Sequence, residues 1–403
     1  MREPMPRIAV LADWWWPEDV GGAERTAREA ALELARFAEV AVFVPAVSER
    51  TYEDGPLAVH AVRRLLARRM HADTRVRRGM EFLSAWLLPW NATPLVRRIA
   101  AFQPDLVIAT NISRTGPWLP RWARARGLRY VRVFHDLSDS CWRRSRLKGA
   151  RSCVTVCGEC RMKVWAMRRA TPPQAVSVCV SAFVRDDLTR TGLVTAATSI
   201  VGYPLVGRGR PVRRPRRDDS EGLVVGYIGR LSPVKGVESA IRTAAVHQRR
   251  TGTPVTVLIA GEGQSDYLRT LVDLARVEGV RLDVRGHLTV EKFCGLVDVV
   301  LIPSRWMEPF GRVAVEVGRT GRPMLVSPLG GLPEAAVVSG GDYAFADFED
   351  PEAAAAALAA LLNGSGPEAQ RSTDRVVTLK EAVVVATERA LVGDGDANSG
   401  RRS

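Results

Sequence analysis

Short apolar runs alternate with longer mixed segments along the chain, in two successive blocks. In the first block, Arg7–Ala12 predicts a buried strand, Gly22–Phe37 has apolar residues at helical spacing, and Val40–Val44 predicts a second strand. Strands that alternate with helix-length segments predict a parallel sheet built from right-handed crossover units. The same block contains three further predicted strands: Asp105–Ala109, Tyr130–Phe134 and Val176–Val180.

A segment without periodicity, residues 207–219, separates the two blocks. It is rich in Pro and Arg, which is typical of a solvated linker or loop. The alternation of strands and helices then restarts, and this predicts a second doubly wound domain. Its predicted strands are Leu223–Ile228, Val255–Ile259, Leu282–Val284, Val297–Ile302 and Met324–Val326.

We therefore predict an α/β protein with two Rossmann-like, doubly wound domains, residues 1–206 and 220–377, that face each other across a cleft. In such folds a ligand binds at the carboxyl ends of the strands. An Ala-rich helix, Glu352–Leu362, lies within the second domain. A final helix is predicted over 378–392, with packing back onto the first domain as one option, and the polar tail 393–403 is expected to be disordered.

The composition is that of a soluble globular protein. The 403 residues are 46% hydrophobic and 25% charged, which excludes a disordered chain, a disulfide mini-protein and a fibrous repeat. The longest strictly apolar run, Ala353–Leu362, is too short to span a membrane. The apolar run Ile8–Ala12 is too short for the core of a signal peptide, and Asp13 follows it directly. We therefore expect a cytoplasmic protein.

The net charge of +14 is distributed unevenly. Residues 1–217 contain 38 Lys and Arg against 19 Asp and Glu, whereas residues 218–403 contain 20 against 25. This asymmetry indicates that the first domain meets a polyanion or an anionic surface. The alternative is a compositional bias toward arginine, since only five of the basic residues are lysines.

A basic, glycine-containing loop, Gly229–Gly236, follows the first strand of the second block. Glycine permits close approach of the backbone to a ligand, Arg230 and Lys235 supply two cations, and the next helix begins with free N–H groups. Together these features predict a phosphate site. The loop lacks the spacing of a Walker motif, and by itself it would be compatible with a basic surface turn.

A second segment of the same block follows the strand that ends at Pro303-Ser304 and carries two carboxylates. Glu308 is predicted at the junction of loop and helix, and Glu316 about two turns further on. At this spacing they can contact separate parts of one extended ligand, such as the hydroxyls of a sugar and of a ribose. The amides of Phe310 and Gly311 lie between them at a predicted helix start and can donate hydrogen bonds to that ligand. Compensation of the helix dipole would explain Glu308 alone, but not the pair with the intervening Pro-Phe-Gly.

In order and spacing these segments resemble the donor-binding domain of retaining family 4 (group 1) glycosyltransferases of the GT-B fold. The first domain agrees with this resemblance. Gly21-Gly-Ala-Glu24 opens its first helix as in that family, and His135-Asp136 follows a strand as the histidine of the catalytic region does. The matching segments of the second domain are Gly229-Arg230, Lys235-Gly236, Gly261-Glu-Gly263, Pro303-Ser304, Glu308-Pro-Phe-Gly311 with Glu316, and Gly330-Gly-Leu-Pro-Glu334.

The resemblance implies a hexosyltransferase that moves a sugar from a nucleotide diphosphate to an acceptor hydroxyl. Retention by front-face substitution is implied, with a UDP-sugar favoured over a GDP-sugar as co-substrate. In this family Arg230 and Lys235 would bind the diphosphate and stabilise the leaving group. Glu308 would orient the donor sugar hydroxyls, helped by the amides of Phe310 and Gly311.

The resemblance assigns four further residues. Glu316 would hold the ribose, and Gly21 and Gly22 would let the first helix approach the diphosphate or the acceptor. His135 would line the reaction centre, although a core histidine at a strand end is the alternative. No cofactor is required for such catalysis, and the Asp-x-Asp of this sequence, Asp394-Gly-Asp396, lies in the polar tail, where it is not a credible metal motif.

Cysteines are concentrated in the segment 141–160. In a cytosolic protein clustered thiols favour a metal over a disulfide, and four thiolates at this spacing could bind one structural zinc. Reduced or redox-labile thiols are the second interpretation. The Cys-x3-Cys-x2-Cys spacing also matches the iron–sulfur triad of radical S-adenosylmethionine enzymes, a distant alternative because Glu159 replaces the usual aromatic residue. The four residues are Cys141, Cys153, Cys157 and Cys160, while Cys179 and Cys294 are predicted to be buried small hydrophobes.

Tryptophans and arginines cluster in the basic half. Such a surface suits peripheral association with the inner face of an anionic membrane and a lipid-linked acceptor there. A natural-product aglycone or a small cyclitol is the other kind of acceptor, and aromatics also line sugar-binding clefts. A nucleic-acid-binding function is an alternative for this half, but no stacking or helix-turn-helix motif supports it. The arginines at issue include Arg68, Arg69, Arg77 and Arg78.

Overall fold

The computed structural model describes residues 4–18, 21–63, 85–144, 146–148, 151–153, 155–205, 211–212, 222–364 and 376–392. The chain forms two compact units. The first consists of residues 1–146, 153–204 and 377–403, and the second of residues 147–152 and 205–376. Most of the predicted linker, the polar tail 393–403 and the four arginines just named lie outside the described residues.

An eight-stranded sheet forms the first unit, in the order β10-β9-β6-β5-β1-β2-β4-β3. All neighbouring pairs are parallel except β3 and β4, which form an antiparallel edge hairpin. The five predicted strands are confirmed, whereas this hairpin was not predicted. The strands are β1 (Arg7–Leu11), β2 (Glu39–Ala46), β3 (Arg50–Asp54), β4 (Leu57–Arg63), β5 (Leu106–Ala109), β6 (Arg129–Phe134), β9 (Val176–Cys179) and β10 (Ser199–Val201). A separate small hairpin pairs β7 (Leu147–Lys148) with β8 (Arg151–Ser152).

Helices cover this sheet because their small and branched residues face it. In the first helix, for example, Ala27, Ala30, Ala31 and Leu34 are buried. The last helix of the chain also belongs to this unit, where it packs on Gly22–Leu34 and on β9. Gly202 allows its close approach, since a Cβ there would lie 2.4 Å from the Ala382 Cβ. The helices are Gly22–Leu34, Thr93–Phe102, Trp118–Ala125, Gly158–Ala170, Ala182–Arg190 and Leu379–Val392.

A six-stranded, fully parallel sheet forms the second unit, in the order β13-β12-β11-β14-β15-β16. Its core is built from the apolar faces of these strands and of the flanking helices. The five predicted strands are again confirmed: β11 (Leu223–Ile228), β12 (Val255–Ala260), β13 (Arg281–Val284), β14 (Val299–Ile302) and β15 (Met324–Val326), to which the structure adds β16 (Tyr343–Phe345). The helices are Val237–Thr251, Ser265–Glu278, Val290–Cys294, Arg312–Gly318, Leu332–Ser339 and Pro351–Leu362.

Within the described part of the chain, none of the helices combines the length and the apolar character that crossing a bilayer demands. Cys179 in β9 and Cys294 at the end of its helix are fully buried, as predicted.

Candidate functional site

The topology of the second unit brings several loops to one edge of its sheet. Strand β11 lies between β12 and β14, so the loops that follow these strands leave the same carboxyl edge in opposite directions. Parallel sheets bind ligands at such a switch point, because the two crossover connections diverge and leave a crevice between them. The loop after β15 joins the same edge.

Glycines hold these loops against one another. Gly236 has a φ of +70°, and a Cβ on it would lie 1.9 Å from the carbonyl oxygen of Pro303, in the loop after β14. The neighbouring amide of Arg305 donates to the carbonyl of Val234 over 3.0 Å. Gly330 likewise has a φ of +65° and a Cβ there would lie 2.3 Å from the Glu308 carbonyl oxygen. Glycine is therefore required at both positions by conformation and by space.

This contact between loops brings together two residues that are 73 positions apart in sequence. Lys235 Nζ donates to Glu308 Oε1 over 2.5 Å, and Ser304 Oγ donates to the same oxygen over 2.6 Å. Only 10% of the Glu308 side chain and 23% of the Lys235 side chain are exposed. The Lys235 ammonium also lies 5.4 Å from the centre of the Trp306 ring. The result is a partly desolvated ion pair at the carboxyl edge, which the sequence motifs indicated only as two separate segments.

The other predicted residues of this unit lie around that pair. Arg230 is exposed at the end of β11, and its carbonyl accepts from the Tyr227 hydroxyl over 2.8 Å. Gly311, at a φ of +94°, precedes the helix Arg312–Gly318, whose Arg312 is bonded to Glu316 over 3.0 Å. Because this helix begins at Arg312, Glu308 lies in the loop before it and not at the junction that the sequence predicted. Phe310 is buried.

In the first unit, Gly21 and Gly22 begin the first helix at the carboxyl edge of its sheet, as predicted. Glu24 lies in the first turn of this helix. Burial raises the pKa of Glu24, and the nearby charge of Asp13 acts in the same direction. The amides of residues 21 and 24 and the side chain of Asn111 act to lower the pKa of the Glu24 carboxyl group. This arrangement fixes a carboxylate at the start of the helix.

Sequence reasoning missed the polar residues that lie near Glu24. Asp13, directly after β1, is almost fully buried and accepts from Ser113 Oγ and, over 3.1 Å, from the Arg114 amide. The Arg114 guanidinium lies 4.3 Å from the centre of the Trp14 ring. A buried Asp at a strand end with a polar segment after the neighbouring strand was the signal that could have found this cluster.

His135 directly follows β6, at the same carboxyl edge. Its Nε2 atom is buried and has no hydrogen-bond partner in the described part of the chain. Burial, reinforced by the positive charge of Arg132 and opposed by Asp136, lowers the pKa of His135 to about 4. The imidazole is therefore neutral at pH 7 and can exchange hydrogen bonds with a ligand but carries no charge.

The structure shows no metal site in the described part of the cysteine segment. Among the described residues, which include all four of these cysteines, no three Cys, His, Asp or Glu side chains are grouped so that they could hold a metal ion. Cys160 is buried on the helix Gly158–Ala170, beside Cys157 and Cys141. Burial raises the pKa of Cys160 to about 11, and the neighbouring thiols add to this effect, so the thiol form is favoured. None of the four cysteines is in a disulfide bond.

Two family models match the chain. The model described as Glycosyl transferases group 1 matches residues 211–375, and the model described as Glycosyltransferase Family 4 matches residues 20–201. The first match contains the Lys235–Glu308 pair, and the second contains Gly21, Gly22 and His135. Neither the nucleic-acid nor the radical-enzyme alternative is favoured by these matches.

Curated relatives match parts of the chain. A glycogen synthase of Mycobacterium tuberculosis is 38% identical over 166 residues, which are 40% of this chain and 38% of that protein. A D-inositol 3-phosphate glycosyltransferase of Corynebacterium glutamicum is 32% identical over 226 residues, 53% of each protein. The chain thus spans about two fifths and about half of the length of these relatives.

Solved structures match nearly the whole chain. The structure of Anabaena Alr3699/HepE in complex with UDP and glucose has a TM-score of 0.57 at 18% identity, over 96% of both chains. The lipopolysaccharide outer core galactosyltransferase WaaB has a TM-score of 0.59 at 15% identity, over 95% of both chains. At this level of identity the likeness establishes the fold, which is the predicted α/β GT-B architecture with two Rossmann-like sheets.

Proposed function

The two family matches and the fold support a group 1 glycosyltransferase, and on that premise we propose that this chain transfers a sugar from a nucleotide diphosphate to an acceptor hydroxyl, with retention of configuration. The observation that carries the proposal is the Lys235–Glu308 pair at the carboxyl edge of the second unit. A sugar nucleotide has an anionic diphosphate directly beside neutral sugar hydroxyls. The Lys235 cation and the Glu308 carboxylate, which are hydrogen-bonded to each other, suit these two neighbouring groups: the cation suits the diphosphate and the carboxylate suits the hydroxyls.

In this proposal Lys235 and Arg230 contact the diphosphate. As the bond between the sugar C1 and the phosphate oxygen breaks, negative charge grows on the departing diphosphate and positive charge grows on the sugar. Cations fixed beforehand near the diphosphate stabilise that charge without reorganisation during the reaction. Arg230 is exposed and has no ion-pair partner in the described part of the chain, so its guanidinium is available for a ligand.

Glu308 accepts hydrogen bonds from the donor sugar hydroxyls. Its Oε1 atom is already bonded to Lys235 and Ser304, so the orientation of the carboxylate is fixed and Oε2 remains for the ligand. The amides of Phe310 and Gly311 contribute at the same ligand. Glu316 lies one helical turn after Arg312 and is paired with it. In this proposal it gives up part of that ion pair and binds the ribose.

The first unit contributes the acceptor side. Gly21 and Gly22 let the start of the first helix approach the ligand, because neither has a side chain at that point. His135, neutral at pH 7 and partly exposed, hydrogen-bonds a sugar or acceptor hydroxyl. The new bond forms between the acceptor oxygen and C1 on the face that the diphosphate leaves, and the acceptor proton passes to the departing phosphate oxygen.

We favour a UDP-sugar as the donor. HepE, which shares the fold, was solved with UDP and glucose, and this supports a uridine nucleotide as the first choice to test. A GDP-sugar is the second choice. The acceptor is of the lipid-linked, natural-product or cyclitol type, bound to the basic first unit. No metal enters the proposed chemistry, since Arg230 and Lys235 supply the positive charge.

The test is a donor-hydrolysis and transfer screen with UDP-glucose, UDP-galactose, UDP-N-acetylglucosamine and GDP-mannose. We expect release of the nucleoside diphosphate from one of them, and proton NMR at early times should show a product with the anomeric configuration of the donor. Glu291→Gln, an exposed acid of the same unit, is the matched control for Glu308→Gln. An inverted product would overturn the front-face proposal, and equal activity of both variants would overturn the role of Glu308.

A further inference from the structure

A groove of about 600 Å³ on the first unit carries a concentration of positive charge that the proposed function does not use. No acidic side chain is among the described residues that line it. Trp165 also lines it and exposes 58% of its surface. The five arginines of the groove are Arg124, Arg161, Arg168, Arg169 and Arg190.

Most of the arginines of the groove lie at the opposite edge of the sheet from His135 and Gly21. Four of its arginines are in the last turn of their helices, and those helices lead into β6, β9 and β10. In a parallel sheet with crossover helices, the end of a helix lies near the start of the next strand. This part of the groove is therefore at the amino edge, whereas His135 and Gly21 follow strands at the carboxyl edge. From there the groove extends along the helix Gly158–Ala170 to Arg161 in its first turn. It is a separate location from the candidate site of this unit.

The arginines are held in place unequally. Arg124 donates to the carbonyls of Arg169 and Thr171 over 3.0 and 3.2 Å, which compensates the carbonyl end of that helix. Arg190 is paired with Asp187 over 3.4 Å. The guanidinium groups of Arg124 and Arg190 are therefore largely occupied by intramolecular partners.

The remaining three are not neutralised. In the described part of the chain, neither Arg161 nor Arg168 has an ion-pair partner, and Arg169 lies over the ring of Trp165 at 4.7 Å. Arg168 is packed against Gly192, where a Cβ would lie 3.1 Å from its guanidinium carbon. Like charges gathered in one groove repel each other, and a bound anion would remove that repulsion.

We propose that this groove binds a phosphate-bearing anion through Arg161, Arg168 and Arg169. Guanidinium groups suit phosphate because their planar N–H donors match its oxygens in pairs. Trp165, together with Met162 one turn away at 67% exposure, provides apolar surface for the group to which the phosphate is attached. The phosphate belongs either to a soluble molecule or to an anionic lipid headgroup, which offers the same chemistry.

Inorganic pyrophosphate is the probe for the shared chemistry, titrated calorimetrically into the full-length protein. We expect the Arg161→Gln/Arg168→Gln double variant to bind it at least about tenfold more weakly, since each lost bond is charge-assisted. Arg97→Gln/Arg276→Gln removes the same charge from exposed helical positions elsewhere and should bind as the wild type does. Circular dichroism and the unfolding temperature check that every variant is folded.

Pyrophosphate could also occupy the proposed donor site, so Arg230→Gln is titrated as well. The proposal predicts that Arg230→Gln retains the binding event that the Arg161/Arg168 variant loses. Unchanged binding in the Arg161/Arg168 variant, loss of all binding in Arg230→Gln, or no binding by the wild type would each overturn it. None of these outcomes depends on whether the chain transfers a sugar.

Vesicle sedimentation distinguishes the two sources of phosphate. Neutral phosphatidylcholine vesicles are compared with vesicles that contain phosphatidic acid, at 0.1 M and 0.5 M salt. Binding to the anionic vesicles that falls with salt and is lost in the Arg161/Arg168 variant supports the groove as a lipid headgroup site. Pyrophosphate binding without vesicle binding supports it as a site for a soluble phosphate. Vesicle binding that the variant retains would contradict the proposal.

Discussion

Replacement of Lys235 by alanine should separate the chemical role of this residue from its structural role. The substitution removes the cation from the pair with Glu308 and leaves the Ser304 hydroxyl hydrogen-bonded to that carboxylate. Loss of one partner of a fully buried ion pair costs about 3–5 kcal/mol. Because 23% of the Lys235 side chain is exposed, and Ser304 remains bonded to Glu308, we expect a smaller loss of about 1–3 kcal/mol.

That loss should lower the unfolding temperature by about 2–12 °C, since 1 kcal/mol corresponds to about 2–4 °C in a unit of this size. The effect on turnover should be much larger. Removal of one preorganised donor to a developing negative charge lowers the rate by about 100–1000-fold, or about 2.7–4 kcal/mol of transition-state stabilisation. The protein should therefore remain folded at 25 °C while turnover is nearly lost.

The assay measures nucleoside diphosphate release at several donor concentrations, alongside calorimetric binding of UDP and a thermal unfolding scan. Lys292→Ala, an exposed lysine of the same unit, is the matched control and should change none of the three. The Lys235→Ala/Glu308→Gln double variant should regain part of the lost stability, because no unpaired buried charge remains, but should regain no activity. A change in turnover below about threefold in Lys235→Ala would refute the assignment of the leaving-group cation.

Three further predictions test single features. Gly252→Ala should lower the free energy of unfolding by roughly 1 kcal/mol, and Gly236→Ala by several times as much. Both glycines have a φ near +70°, but only at Gly236 would a Cβ meet a backbone carbonyl. Equal unfolding temperatures of the two variants would contradict this. The pKa of His135 is lowered to about 4 in the folded state, whereas it is near 6.5 in the unfolded state. As the pH drops from 6.5 to 4 the unfolded state binds the proton first, so the free energy of unfolding should fall by up to about 3 kcal/mol. His135→Gln should remove that part of the acid sensitivity in urea titrations, and parallel curves of stability against pH for both proteins would count against it. Donor turnover should be unaffected by excess EDTA, because the positive charge at the leaving group comes from Arg230 and Lys235; a rate that is abolished by EDTA and restored by a divalent cation would argue for metal-dependent chemistry.

The sequence was sufficient for the architecture because the strands of both sheets are mostly buried apolar runs. β1, β6, β11 and β12 could be located by their hydrophobicity alone. The edge hairpin β3–β4 was missed because β3, Arg-Thr-Tyr-Glu-Asp, is exposed and polar, as edge strands usually are. Its position depends on pairing with β4, and no local pattern encodes that pairing.

The candidate site, too, could be predicted only in part from the sequence. Lys235 and Glu308 could each be found in a short motif, but their bond depends on two loops that meet through Gly236 and Pro303. The placement of Asp13 and Asn111 near Glu24 requires the adjacency of β1 and β5, which lie almost a hundred residues apart. The zinc site stays a prediction, since the described residues form no group of metal ligands and cysteine spacing alone does not determine how a loop directs its thiols.

The return of the last helix, Leu379–Val392, to the first unit affects the order in which the protein can be assembled during synthesis. Leu379, Ala382, Val383 and Ala386 are buried in that unit, yet they leave the ribosome after every residue of the second unit. During translation the apolar surface of the first sheet that this helix covers therefore stays exposed to solvent until the helix has been synthesised. Meanwhile residues 205–376 are synthesised and can fold as one continuous stretch. Synthesis of the first unit thus begins before that of the second unit and ends after it. A nascent chain stalled before residue 379 should expose an apolar surface that chaperones would bind.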